Sequence, residues 1–410
     1  MSLPAAPVDY ASNIPRYFLY IALKSFGFGF FIAIWVIYLQ QERGLTLAEA
    51  AMIDATFFVA ATLGEVPTGV VADIHGRTAS LKIGVALICL STFGWLLAPN
   101  VPLLVLAYAV MGIGATFLSG AEDALFYESL AAVGRSDDYV RLAGRISATY
   151  LGAGALASVL SGFVASISLA LPFLIAGFLL LCALGVVFTL KEPQHTATID
   201  TPRKSSTAIL REAWALMRAR PALRYPMFYL TLIPIVSYMV DGVFLQPQAL
   251  ALGVPIAGIG FVVMVVQLTH MAGATYAHRL RARFSEVRLV YAAPLVIVAS
   301  LLLLAQFQVA PALLFILAIG FITSSVRPLV LGRIQSQVSN DIRATMISFQ
   351  SLMFTCLLVV IQPSLAFVAD RAGLPVAYVA LAAGIGLLIF GLLWASRRYF
   401  PRLAVAADPA

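Results

Sequence analysis

Twelve stretches of about 20 apolar residues, separated by short polar punctuation, constrain this chain more than any other feature. They run approximately over 16–40, 49–72, 79–98, 102–127, 141–166, 170–190, 224–246, 255–277, 287–306, 310–333, 343–368 and 374–396. Segments this long and this poor in charge belong in a bilayer. There the backbone finds no water, so only helices or a closed barrel can span. No run alternates with period two, which leaves helices and predicts an all-α membrane protein. Composition agrees: 61% of residues are hydrophobic and 11% charged, against roughly 25% charged in a soluble domain. The first run, Tyr17 to Leu39, follows a polar, proline-bearing start and spans by itself, so it reads as an anchor and not as a removed leader.

The stretch from Lys191 to Arg224 is polar and charged and divides the runs into six plus six. This predicts an N-terminal six-helix bundle over residues 1–190, a linker over 191–223, and a C-terminal bundle with a short tail over 224–410. The halves repeat. One shift of 204 residues lays Gly69–Arg77 on Gly273–Arg281, Phe117–Ser119 on Phe321–Thr323, and Phe163–Ala165 on Phe367–Ala369. A single offset serving three separated segments predicts two pseudo-symmetric bundles related by an axis along the membrane normal, with substrate handled where they meet. Within the linker, Ile209, Leu210, Ala213, Trp214 and Met217 fall on one helical face beside Arg211 and Arg218. That pattern fits a basic amphipathic helix on the inner leaflet or an ordinary solvated helix.

Charge gives orientation. Of 26 Lys and Arg, only Arg43 and Arg371 fall in the loops that would face outward if both termini are cytoplasmic. Positive loops stay inside, so the net charge of +7 is a topology signal and not a nucleic-acid footprint. Cys89, Cys182 and Cys356 lie far apart inside apolar runs and match no metal or redox spacing, which predicts three small core residues. There is no phosphate loop, no His-Glu-x2-His and no Cys-x2-Cys, so neither an enzyme nor a cofactor is expected. Gly152-Ala-Gly154-Ala-Leu-Ala157 mimics a dinucleotide fingerprint, but no strand precedes it.

Between the second and third runs stands Gly69-Val-Val-Ala-Asp73-Ile-His-Gly76-Arg77, a tight turn carrying an acid and a base. Twelve spans in two halves, a polar central linker and this turn resemble the major facilitator superfamily over essentially the whole chain, and the turn matches that superfamily's signature at the same place. Glu65-Val-Pro67-Thr-Gly69 and Ser119-Gly120-Ala-Glu122-Asp123-Ala-Leu-Phe-Tyr127-Glu128 resemble its bacterial drug and small-molecule:proton antiporter branch. The resemblance implies the major facilitator fold, a multi-pass protein of the bacterial inner membrane, a monomer, and alternating access. Two departures count against antiport by the usual route. The arginine often found in the middle of the fourth span is absent from Leu106–Gly114, and the fifth span's antiporter signature is only partly echoed in Tyr150–Gly162.

An ionisable group in mid-span costs about 2.5 to 3.5 kcal/mol on insertion scales, so each one needs a partner, water or a function. Asp54 and Glu65 are eleven residues apart, which returns to nearly one helical face and predicts a line of acids able to load and release a proton. Asp54 can equally sit at the outer interface in contact with water. Asp241 in the seventh run and Lys24 in the first are candidate contacts to a charged substrate or to a proton, with snorkelling the plainer reading for lysine. His270 in the eighth is of the one residue type that ordinarily changes charge near neutrality, though a lone helical histidine is more often a hydrogen-bonded structural residue. At the inner end of the fourth run stand Glu122, Asp123 and Glu128, and the repeat sets Arg327 opposite Asp123. These residues with Gly69, Asp73, Gly76 and Arg77 form a candidate conformational switch and gate, with Asp73, Arg77 and Glu128 pairing in one half and Asp123 with Arg327 across halves. Gly154, Ser158 and Gly162 read as a packing stripe or an antiporter-specific bend. Phe26-Gly-Phe28-Gly-Phe30-Phe31 reads as core or as the wall of an apolar pocket.

The expectation is a secondary transporter exporting small apolar or cationic molecules against protons. Its partners would be that substrate, protons and the lipid bilayer, with no nucleic acid. A facilitator or proton symporter for a sugar, amino acid or siderophore is the nearest rival, and a lipid translocase or membrane scaffold is the rival from another class.

Overall fold

The computed structural model describes residues 10–193, 221–336 and 340–396, with residues 211, 214, 215, 217 and 218. Among the described residues the protein is all helix, without a strand. The first half comprises α1 (Asn13–Ile32), α2 (Trp35–Ile37), α3 (Leu47–His75), α4 (Arg77–Leu97), α5 (Val101–Leu118), α6 (Ala121–Ala132), α7 (Tyr139–Ala165) and α8 (Leu171–Phe188). The second comprises α9 (Pro221–Tyr238), α10 (Leu245–Ala251), α11 (Ile256–Arg283), α12 (Glu286–Gln306), α13 (Leu313–Ser336), α14 (Asn340–Ala372) and α15 (Leu374–Ser396). Among the described residues eleven helices are long and apolar enough to cross a membrane, or twelve if the broken first run counts as one span.

The breaks have local causes that apolar runs do not show. The fourth run is two helices, because Gly120 adopts φ +74° between α5 and α6, a conformation costly for any residue with a Cβ. In the first run Ile34 sits at φ −132° and ψ 0°, and α2 runs into a π-helical turn over Tyr38–Glu42. The seventh run carries a second π-turn, Met239–Phe244, joining α9 to α10. Such turns insert one residue into the helical register and concentrate at functional positions. The tight turn after the second run is shorter than its charges suggest. Asp73 and His75 are still helical, and Gly76 alone, at φ +94°, separates α3 from α4.

Two compact units emerge, one of Met1–Ile32 with Thr56–Pro202 and one of Ala33–Ala55 with Arg203–Ala410. In the first unit α1 packs against α7 and α8, and α4 against α5 and α8. The α1–α7 seam is the small-residue stripe: a Cβ on Gly29 would lie 2.5 Å from the Gly154 carbonyl. Across the same seam Ser161 donates to the Phe30 carbonyl at 2.8 Å. Such close backbones are how helices associate in lipid, where apolar burial supplies no drive. Phe31, the last of the aromatic run, packs its ring against Trp95 and Phe173 at 5.2 and 5.1 Å, in the core.

The second unit repeats the pattern. Its first helix, α9, packs against its fifth and sixth, α14 and α15, and its third, α12, against its fourth and sixth, α13 and α15. Again a glycine sets the closest seam, with a Cβ on Gly273 falling 2.4 Å from the Phe321 carbonyl. Residues 33–55 dock onto this unit. Ala33, Ile34, Val36, Ile37, Leu39, Ala50, Ala51 and Ile53 are fully enclosed. The Gln246 side-chain oxygen accepts from the Val36 and Ile37 amides at 3.0 and 3.3 Å. Asp370 accepts from Leu47 and Ala48 at 2.9 and 2.8 Å, satisfying the free donors at the start of α3 with a negative charge.

One expectation of burial fails. Cys89 is buried and Cys182 half-buried, but Cys356 is exposed, on a face of α14 that it shares with the exposed Val360.

Candidate functional site

The turn at Gly76 is built by a residue that the reading of the sequence left in the linker. Glu192 accepts from the Arg77 and Thr78 amides, both at 2.7 Å, and so caps α4 with a carboxylate where its dipole favours one. A Cβ on Gly76 would stand 2.7 Å from the Glu192 carboxylate, so glycine is required twice, for its φ and for clearance. Arg77 then reaches Asp73 at 2.9 Å and Glu128 at 3.8 Å. The expected grouping of Asp73, Arg77 and Glu128 is present in the geometry. Gly69 lies in α3, two turns from its end.

Deeper in the first unit, Lys24 of α1 pairs with Glu122 of α6, and the Tyr20 hydroxyl donates to the same Glu122 oxygen. The lysine does not snorkel. Its side chain is 14% exposed, and its ammonium lies 5.3 Å from the Tyr20 ring and 5.9 Å from that of Tyr150, within cation–π range. Glu122, expected as part of the switch and gate, is turned into the unit, in the first turn of α6 past the Gly120 break. Asp123, one residue on, is exposed.

The second unit gathers Asp241 and His270. Asp241 projects from the π-turn, and its Oδ2 accepts from Ser237 at 2.8 Å and meets His270 Nε2 at 2.7 Å. The other ring nitrogen, Nδ1, is 2.7 Å from the Ser324 hydroxyl, and Ser237 and Thr323 are 3.3 Å apart. With the carboxylate accepting at Nε2–H, the neutral ring takes a hydrogen bond from Ser324 at Nδ1. The histidine reaches this position because residue 320 is glycine, where a Cβ would stand 3.1 Å from Nε2. Asp241 keeps Oδ1 buried and without a hydrogen-bond partner among the described residues. A carboxylate with one oxygen held and the other unpartnered, touching an imidazole, keeps an acceptor to spare beside its supports.

The two acids of α3 do not share an environment. Asp54 is 1% exposed, which excludes the water-contact reading, and its Oδ2 accepts from Tyr238 and Gln362, both at 2.7 Å. Glu65 is exposed. Equal azimuth on a helix does not give equal surroundings when only the first part of that helix is docked. Arg327 is exposed and borders a cavity of ≈ 70 Å³ with Met227, Leu331 and Gln350.

A buried pair was missed altogether. Arg333 Nε and Glu286 Oε1 are 3.1 Å apart, with side chains 5% and 11% exposed, joining the start of α12 to the end of α13. In the linker, Met217 is buried, and Arg218 lies over the half-exposed Trp214 ring at 5.4 Å. Ile209, Leu210 and Ala213, on which the amphipathic face also rests, lie outside the described residues, as do Arg397, Arg398 and Arg402. No group of three His, Cys, Asp or Glu able to hold a metal occurs among the described residues.

Residues 17–363 match the family model described as Major Facilitator Superfamily. No curated protein matches in sequence. Among solved structures the nucleoside transporter NupG is similar with a TM-score of 0.78 at 14% identity, over 92% of this chain and 98% of that one. A D-xylose-proton symporter is similar at 0.69 and 15%, over 93% and 97%. A bacterial homologue of the human lysosomal transporter Spinster is similar at 0.69 and 14%, over 99% and 100%. Identities this low speak for the fold alone.

Proposed function

The chain belongs to the major facilitator superfamily, and from that premise we propose that it is a proton-coupled secondary transporter with Asp241 and His270 as its proton site. One observation carries the reading: a half-buried carboxylate within a span, touching an imidazole through Oδ2, with its Oδ1 enclosed and without a hydrogen-bond partner among the described residues. In lipid such a group is expensive and is kept where it moves a proton or meets cargo. Moving one charge against about 100 mV takes about 2.3 kcal/mol, which a proton travelling inward can supply. The spread of basic residues supports an orientation with both termini on the cytoplasmic side.

For cargo, Glu122 with the rings of Tyr20 and Tyr150 supports a small cationic or apolar molecule, since together they already hold one ammonium, that of Lys24. Export is the direction that goes with that cargo. A second reading, symport of a hydroxylated metabolite, is favoured by the hydroxyls of Ser237, Thr323 and Ser324 around Asp241, and the D-xylose-proton symporter shares the fold. Sealed proteoliposomes with an internal pH dye, challenged with lipophilic cations, sugars, nucleosides and amino acids, test both. Substrate-evoked proton movement that disappears in Asp241→Asn supports the reading, and its direction decides export against symport. Labelled substrate moving without protons, or protons moving unchanged in Asp241→Asn, contradicts it.

A further inference from the structure

The π-turn that carries Asp241 is bracketed by two residues that hold the docked 33–55 segment. Tyr238, immediately before the turn, donates its hydroxyl to Asp54 at 2.7 Å. Gln246, two residues after it, accepts from the Val36 and Ile37 amides. Ser237, the neighbour of Tyr238, donates to Asp241 itself at 2.8 Å. One turn of helix therefore binds the candidate proton site with residue 237 and the docked segment with residue 238. Resting on the reading of Asp241 given above, we propose that Tyr238 is a positioning residue that makes docking of residues 33–55 depend on the state of Asp241.

The physical argument concerns register. Consecutive helical residues are about 100° apart on a rigid backbone, so a rotation that follows Ser237 carries Tyr238 with it. A π-turn holds one residue more than an α-turn, and trading one pattern for the other shifts everything on one side of it while conserving nearly all backbone bonds. Loading Asp241 changes what Ser237 and His270 grip. The π-turn can absorb that change, and Tyr238 and Gln246 pass it on to the segment. Gln362 and Asp370 contact the same segment from α14 and its end, outside the π-turn, so they clamp it without sensing Asp241.

That distinction gives the test. In full-length protein with Cys89, Cys182 and Cys356 replaced by alanine, Ala51→Cys places a thiol at a fully enclosed position of the segment. Its labelling rate by a maleimide in proteoliposomes reports undocking. Tyr238→Phe removes one hydrogen bond to a carboxylate and is expected to raise the rate at least about tenfold. Gln362→Met, monitored alongside by gel filtration, is expected to raise it comparably. Asp241→Asn is expected to change the rate in the parent and in Gln362→Met but not in Tyr238→Phe. Equal sensitivity to Asp241→Asn in all three backgrounds, loss of sensitivity in both variants, or a Tyr238→Phe rate equal to the parent overturns the proposal. Failure of the proton reading is separate, because Asp241→Asn would then leave proton flux intact whatever the labelling shows.

Discussion

Each unit holds a candidate site at a charged pair, and the two are built from different chemistry. In the first, Glu122 faces the ammonium of Lys24, a strong cation on a flexible stem. In the second, Asp241 faces His270, whose residue type gains and loses its charge near neutrality. Glu122 shares one oxygen between Lys24 and Tyr20, whereas Asp241 holds His270 and Ser237 on one oxygen and leaves the other without a hydrogen-bond partner among the described residues. A carboxylate facing an ammonium suits holding or exchanging a cation. A carboxylate–imidazole pair with an unpartnered oxygen suits moving a proton. On this account cargo and proton are handled by different halves of a repeated fold.

The same asymmetry appears at the junction of the third and fourth helices of each unit. Arg77 at the start of α4 faces Glu128 in α6, while Glu286 at the start of α12 faces Arg333 in α13. Both pairs join a helix start to the span that follows it, with the sign exchanged.

The largest expected effect breaks the comparison at its proton end. Asp241→Asn should remove substrate-driven proton flux while Lys24→Met leaves a proton response, measured with the same dye. Next, Lys24→Met should lower thermal stability in detergent by about 3 kcal/mol, because it leaves Glu122 largely buried and unpaired. Adding Glu122→Gln to Lys24→Met should recover most of that loss. A stable single variant would show that the pair is not a closed unit. Gly320→Ala should displace the His270 ring by a few tenths of an ångström, costing about 1 kcal/mol and slowing proton flux without abolishing it. Smallest in transport but clear in stability, Gly76→Ala should cost about 1 to 2 kcal/mol through its φ and the lost fit of Glu192. Unchanged melting there would mean that the Glu192 cap does not hold α4.

The spans were legible because lipid imposes one rule on twenty residues at a time. Breaks inside them were not, since Gly120, Ile34 and the π-turns act through single dihedrals and leave hydropathy unchanged. Lys24, Glu122, Asp54, Asp241 and His270 stood out in the sequence because a charge in lipid needs a reason. Their pairing did not, because 24 and 122, or 241 and 270, sit on different helices and nothing in their spacing sets a distance. Tyr238, Gln246 and Gln362 carried no charge to draw notice, although they hold Asp54 and the docked segment. Glu192 lies in non-helical chain past the end of α8, and Glu286 in the first turn of α12, where acids are common for reasons of capping alone. Glu65, which has the residue type and the azimuth of a proton carrier, stands exposed, a difference from Asp54 that spacing along one helix does not show.

The central claim is that Asp241 with His270 carries the coupled proton. Counting protons exchanged with weakly buffered solvent when substrate binds the detergent-solubilised protein tests it without any need for turnover. The account predicts an uptake or release in the parent protein that vanishes in Asp241→Asn although substrate still binds. The same proton count in Asp241→Asn would contradict it and move the proton to another acid of the chain.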